Sequence, residues 1–283
     1  MQTQAKMATM QLQQASGLTS TDYGGLAGSA RTLISLEVSM ERSKGYSDSA
    51  TEANFRVETM HQKLGIATDL LTQFRSQITA MRSTDRTAAT SAVLADSASA
   101  AMEQFANILN ATYAGRYLFA GSVTTTPPVD IGTYRTATAT DDSYYSGDDY
   151  LAKVQVSADH IVSYGVTADE TGFQQALGAM KMLASTTGMM DDAVLEQAFT
   201  LASEALDAVT VLQSRLGVAS DTLQTATQTQ EDYQFFVKAN ISNIKDVDAT
   251  ELAVQLAAYG TQLEASYAAL AKIQSLNLQD YLR

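Results

Sequence analysis

Cysteine is absent from the 283-residue sequence, which excludes disulfides, thiolate metal sites and thiol nucleophiles. Proline is almost absent. The two that occur are adjacent, Pro127 and Pro128, and because proline inside a helix costs about 3 kcal/mol, the chain on either side is free to be helical. Basic residues are in the minority, 18 against 31 acidic ones, for a net charge of −13 and a pI near 4.5. That balance argues against nucleic acid and anionic membrane surfaces as partners. No uncharged apolar run approaches the ~20 residues needed to span a bilayer. The opening MQTQAKMATM has no basic region followed by an apolar core, so no secretory signal peptide of the usual kind is expected. On these absences alone the chain reads as soluble and cytoplasmic, with length for one or two domains and a real core.

What is present is a long apolar stripe. Alternate steps of three and four from Ala50 reach Ala53, Val57, Met60, Leu64, Ala67, Leu71, Phe74, Ile78 and Met81, ten apolar positions without a gap. This is a heptad seam. Polar residues such as Glu52, Arg56, Glu58, Lys63, Asp69 and Gln73 fill the intervals and would turn to water. At 1.5 Å per residue the rod is roughly 48 Å long, so it needs partner helices of similar length. One follows the prolines, where Leu195, Phe199, Ala202, Leu206, Val209, Gln213, Leu216, Ser220 and Leu223 continue in the same spacing, seven of the nine apolar. A shorter spacing, Ala95, Ala98, Met102, Phe105 and Leu109, predicts a helix that folds back on the first rod.

The rest of the chain falls around these rods. Residues 1–14 read as a short helix carrying Met7 and Met10, marginal in water without a partner. Residues 15–28 hold four glycines and predict an irregular connector. Leu33, Leu36 and Met40 form a further stripe, and Gly45 marks a predicted break over 43–48, followed by a capping box at Ser49 and Glu52. Two more boxes are read at Thr171/Gln174 and Asp248/Glu251. Five tyrosines, at 134, 144, 145, 150 and 164, and alternating polarity at 151–156 and 161–164 predict a small β-rich segment. The last helix carries Leu252, Leu256, Tyr259, Leu263, Leu270 and Ile273 in heptad register, then Leu276, Leu278, Tyr281 and Leu282. So apolar a chain end points to burial against another molecule.

The expected fold is mainly α: an elongated antiparallel helical bundle or coiled coil with a small β-rich central insert. The chain turns back like a hairpin about the prolines. Three regions are expected: 1–28 with 243–283 as a terminal helical region and its connector, 29–122 with 171–242 as the long-helix core, and 123–170 as the insert.

Four stretches, in this order and spacing, resemble the bacterial flagellin superfamily, and within it the branch that joins hook to filament. They are Ser16-Gly17-Leu18 ahead of the glycine-rich connector; Gly115, Arg116, Tyr117, Leu118, Phe119, Ala120, Gly121 and Ser122 with Thr124 to Pro128 behind; Ser214, Arg215, Leu216 and Gly217; and Ser242, Ile244, Asp246, Val247 and Asp248 leading to a helix that ends Ser275 to Leu282. The family's helix ahead of the first of these is longer than the 15 residues here. The resemblance implies paired termini in an inner layer lining the flagellar lumen, rods in an outer coiled-coil layer, and an insert facing outward. It implies export by the flagellar type III apparatus without a cleaved signal, which reverses the cytoplasmic reading. The implied partners are copies of the chain, other flagellar axial proteins including hook-associated protein and flagellin, and an export chaperone. The implied function is a structural subunit of the flagellum that joins hook to filament by helix–helix self-assembly of its terminal regions. Filament flagellin is the alternative within the family. A cell-surface binding module presenting the insert is the alternative of another class.

Catalysis finds little support. His61 follows the seam residue Met60 and reads as a solvated helix residue, and His160 lies about a hundred residues away in the tyrosine-rich segment. The acidic pairs Asp141/Asp142, Asp148/Asp149 and Asp191/Asp192 do not have the spacing of a calcium loop and read as caps or turns. Asp246 and Asp248 read as helix caps. No set of nucleophile, base and orienting group can be assembled, so no catalytic, metal or cofactor-binding residue is expected. The expected assembly interface is Met7, Met10, Leu252, Leu256, Tyr259, Leu263, Leu270, Ile273, Leu276, Leu278, Tyr281 and Leu282, and the expected core seam is Val57, Met60, Leu64, Leu71, Phe74, Ile78 and Met81.

Overall fold

The computed structural model describes residues 2–83, 86–134 and 141–275. The fold is mainly α, with two small antiparallel hairpins, as the periodicities predict. In chain order it has α1 (Gln2–Ser16), a 3-10 helix (Gly24–Ser29), α2 (Ala30–Arg82) and α3 (Ala88–Leu109). The strands β1 (Thr112–Tyr113), β2 (Arg116–Tyr117), β3 (Ala152–Ser157) and β4 (His160–Tyr164) come next, then α4 (Thr171–Ala184), α5 (Asp192–Lys245) and α6 (Ala249–Ser275). Two compact units result, residues 45–231 and residues 1–44 with 232–283.

The larger unit is organised on the α2 stripe. All of the first nine seam positions, Ala50 to Ile78, are buried, and Met81 is half-buried. The α5 helix runs antiparallel beside α2: Ser220 donates to Asn54 Oδ1 at 2.8 Å, and Arg82 pairs with Glu196. On α5 the buried stripe is Leu195, Ala198, Ala202, Ala205, Val209, Leu212, Leu216, Ser220 and Leu223. Phe199, Leu206 and Gln213, which the sequence places on the seam, flank it half-buried. The small alanines lie at the contact and the larger side chains close over its edge, so the helix is turned by about one residue from the expected phase.

The predicted break at 43–48 is not there: α2 is one helix of 53 residues. Ser43 and Ser47 are buried and continue the stripe of Leu33, Leu36 and Met40 into Ala50, while Gly45 costs a helix only about 1 kcal/mol. The Ser49/Glu52 box is therefore mid-helix. At Thr171 the helix does start, but its cap is Glu170 without a side-chain bond, and Gln174 Nε2 donates instead to Asp169 O at 2.7 Å. A box the sequence reading missed opens α3, where Thr87 and Thr90 satisfy each other's backbone amides.

Three phenylalanines tie the shorter elements to the rods. Phe173 meets Phe105 and Phe119 edge-on, with centroids 6.0 and 6.3 Å apart, a geometry favoured by the ring quadrupole. At the α4 start Gly172 lies so close to α5 that a Cβ would stand 2.8 Å from Ala208 Cβ. The β segment shares this core. Tyr134, Tyr144 and Tyr164 are buried, Tyr134 and Tyr144 meet edge-on at 5.4 Å, and Tyr144 donates to Ala168 O at 2.8 Å. Burial of the phenols raises the Tyr134 pKa to about 12 and pushes Tyr144 and Tyr145 higher still. The β1–β2 hairpin turns on Ala114 and Gly115, both at positive φ, as a two-residue type I′ turn requires. β3 and β4 pair from Ala152↔Tyr164 to Ser157↔His160 with a bulge at Val156, whose carbonyl accepts from Gln230 Nε2 of α5 at 3.0 Å. After Pro128, Asn110 takes the place of a strand: its Nδ2 donates to Val129 O at 2.8 Å and its Oδ1 accepts from Val129 N at 2.9 Å. Ser122 donates through N and Oγ to Asp148, which holds that carboxyl below the usual carboxylate range.

Candidate assembly surface

The terminal helices lie in the smaller unit, with 30–44 of α2 and 232–245 of α5. α1 has neither an acidic first turn nor a basic last turn to suit its dipole and 15 residues, so α6 must hold it in place. The two are antiparallel. At one end Gln4 Nε2 donates to Tyr267 OH at 2.6 Å, and at the other Leu18 bridges Asp246. α6 opens on Asp248, whose Oδ1 accepts from Thr250 N at 2.8 Å and Glu251 N at 3.1 Å, as the predicted cap requires.

The expected interface residues divide along α6. Leu252, at 4% exposure, is buried within the chain. Leu256, Tyr259 and Leu263 are half-buried, as are Met7 and Met10 of α1. Leu270 and Ile273 are 53% and 65% exposed. They stand beyond the Gln4–Tyr267 bond, past the level of the first described turn of α1. Leu276, Leu278, Tyr281 and Leu282 fall outside the described residues. Sequence reasoning missed further exposed apolar side chains: Leu12, Val254 and, most prominently, Phe235 and Phe236 on α5. Two adjacent aromatics on a long helix cannot both face a core, and that adjacency is the signal that could have found them.

The connectors at the base of the terminal pair are bonded to each other. Thr19 N donates to Lys245 O at 2.7 Å and Val247 N to Gly17 O at 3.0 Å. Thr19 Oγ1 adds a bond to Asp246 O at 3.2 Å. Glu37 of α2 receives Tyr23 OH on Oε2 at 2.8 Å and Lys245 Nζ on Oε1 at 3.2 Å. The hydrogen bond to Glu37, and then its charge, raises the Tyr23 pKa.

Elsewhere among the described residues, chemistry-bearing side chains do not converge. His61 is half-buried on α2 and His160 exposed at the start of β4. Among the described residues no three of His, Asp or Glu are placed to hold a metal, and no helix is long and apolar enough to cross a membrane. A groove of about 430 Å³ beside the β3–β4 hairpin is lined by Val156, His160, Val218, Asp221 and a row of α5 threonines.

Long antiparallel rods, a hairpin-bearing segment between them in sequence and paired terminal helices define a flagellin-like class of fold, and the resemblance read from the sequence is borne out. Residues 199–282 match the bacterial flagellin C-terminal helical region. Among solved structures the chain is similar to a flagellar hook-associated protein from Vibrio parahaemolyticus, with a TM-score of 0.64 and 13% identity over 80% of this chain and 99% of that one. It is similar also to the flagellar junction protein FlgL from Legionella pneumophila, with a TM-score of 0.53 and 13% identity over 76% of this chain and 98% of that one. At such identities the likeness is one of fold. No curated protein sequence matches this one.

Proposed function

We propose that this chain is a structural, non-catalytic subunit of the flagellum at the junction of hook and filament, exported to the cell exterior and assembled through α1 and α6. The supporting observation is the exposed apolar end of α6. Leu270 and Ile273 lie within the stretch that matches the flagellin C-terminal region, and apolar side chains left uncovered at helical spacing mark a docking face for another helix. The partners proposed are further copies of the chain and the neighbouring axial proteins, with a chaperone covering the same face before export. The domain roles proposed are assembly for 1–28 with 243–283, a rigid rod for 29–122 with 171–242, and an outward display for 123–170.

Removal of the 36 residues from 248 to 283 tests this. The truncated chain keeps the helical circular dichroism and cooperative melting of the rods but no longer forms rings or tubes visible by electron microscopy, nor enters flagella. Incorporation of the truncated protein contradicts the proposal. Complementation of a strain lacking its junction protein, set against one lacking filament flagellin, distinguishes the two family roles. The binding-module alternative draws on the groove at β3–β4. It requires ligand binding that survives the truncation.

A further inference from the structure

The connectors 17–23 and 245–248 are the covalent links by which α1 and α6 join the rest of the smaller unit, and they are fastened to each other. Residues 227 positions apart in sequence, Thr19 and Asp246, are in hydrogen-bond contact, and the Leu18↔Asp246 bridge is closed on both sides by backbone bonds. Each connector is also held to its own helix: Gly17 N donates to Gln13 O at 2.8 Å and Asp246 N to Ser242 O at 2.8 Å. From the last turn of α1, Gln13 Nε2 donates to Thr19 O at 2.7 Å. Glu37 then ties one residue from each connector region, Tyr23 and Lys245, to α2. An isolated helix of 15 residues would fray independently of its neighbour. A cross-strapped pair opens as one cooperative element.

We propose that the paired connectors form a latch, with Glu37 as its anchor, which makes α1 and α6 order and open together as a single body. Glu37 is a positioning residue here. It holds Tyr23 and Lys245, while the backbone bonds at Gly17, Thr19 and Val247 carry the strap. The latch does not depend on what the chain assembles with, so its failure leaves the assembly proposal standing and the converse also holds.

Hydrogen–deuterium exchange of the full chain, read on peptides from 2–16, 249–275 and 50–82, tests the latch. In the unaltered protein the two terminal helices exchange at rates within about threefold of each other, as one opening unit does. Thr19→Pro deletes the N–H that bonds Lys245 O and leaves Leu18 extended, the conformation proline prefers before it. Both terminal peptides then exchange at least about tenfold faster, because the bond from the Thr19 hydroxyl to Asp246 O is lost with the N–H bond, with 50–82 unchanged. Glu37→Gln, which leaves the backbone intact, gives the same joint acceleration at about threefold, and it carries the test if Thr19→Pro disturbs 50–82. Acceleration of 2–16 alone, no response at either helix, or complete exchange of both helices at the first time point in the unaltered protein overturns the latch.

Discussion

Helices α2 and α6 carry the same seven-residue apolar repeat and meet different fates. On α2 nine of ten stripe positions are buried, because α5, α3 and the segment at Gly165 lie against the rod between Ala50 and Ile78. On α6 the stripe is buried at Leu252, half-covered as far as Leu263 and bare at Leu270 and Ile273, which follow the Tyr267 bond to Gln4 of α1. Periodicity sets which side of a helix is apolar. The reach of the neighbouring helix sets how much of that side is left for another molecule.

The contrast can be broken most severely on α2. Phe74→Ala empties a fully buried site and lowers unfolding free energy by about 3–5 kcal/mol, read as a drop in denaturant midpoint. Alkaline pH attacks the β segment next. Tyr134 titrates near 10 when unfolded and near 12 when folded, so its contribution is complete below pH 10 and lost as pH rises through 12. The expected loss is of order 2 kcal/mol, with tyrosinate absorbance rising together with unfolding. Ionisation that precedes unfolding refutes this coupling. Gly172→Ala sets a methyl 2.8 Å from Ala208 Cβ. The overpacking of about 1–3 kcal/mol, partly offset by better helix propensity, leaves a net loss of about 1 kcal/mol in thermal melts. The smallest effect is the most telling. Leu270→Ser with Ile273→Ser changes monomer stability by less than about 0.5 kcal/mol yet reduces self-assembly in sedimentation. A stability loss as large as that of a core residue would mean that the exposed end of α6 is covered within the chain.

The long stripe of α2 is legible because ten apolar residues, seven of them larger than alanine, repeat without interruption, and no other arrangement buries them. The phase of α5 is less legible. Alanine is a weak apolar signal, so Phe199 and Leu206 outweigh Ala198 and Ala205 in a sequence reading, although close helix approach favours the small residues at the contact. Gly45 with its neighbouring serines resembles a break, but burial of Ser43 and Ser47 in an otherwise apolar stripe overrides local propensity. The apolar face of α6 could be read, but its coverage could not: a repeat shows that a side is apolar and is silent on whether the chain supplies the cover. The exposure of Phe235 and Phe236 went unread for a related reason: they read as a continuation of the second rod, and only their adjacency shows that both cannot face a core.

The Asn110 side chain, bonded on both sides to Val129, works as a clasp at the mouth of the excursion between α3 and Pro128. Closing that mouth separates the excursion's size from the integrity of the helices beneath it, because extra length in an already closed loop adds only a slowly growing entropic penalty. Thr125 and Thr126, both exposed within it, are therefore a natural place to splice in a foreign peptide, which the chain would carry while the rods melt as before.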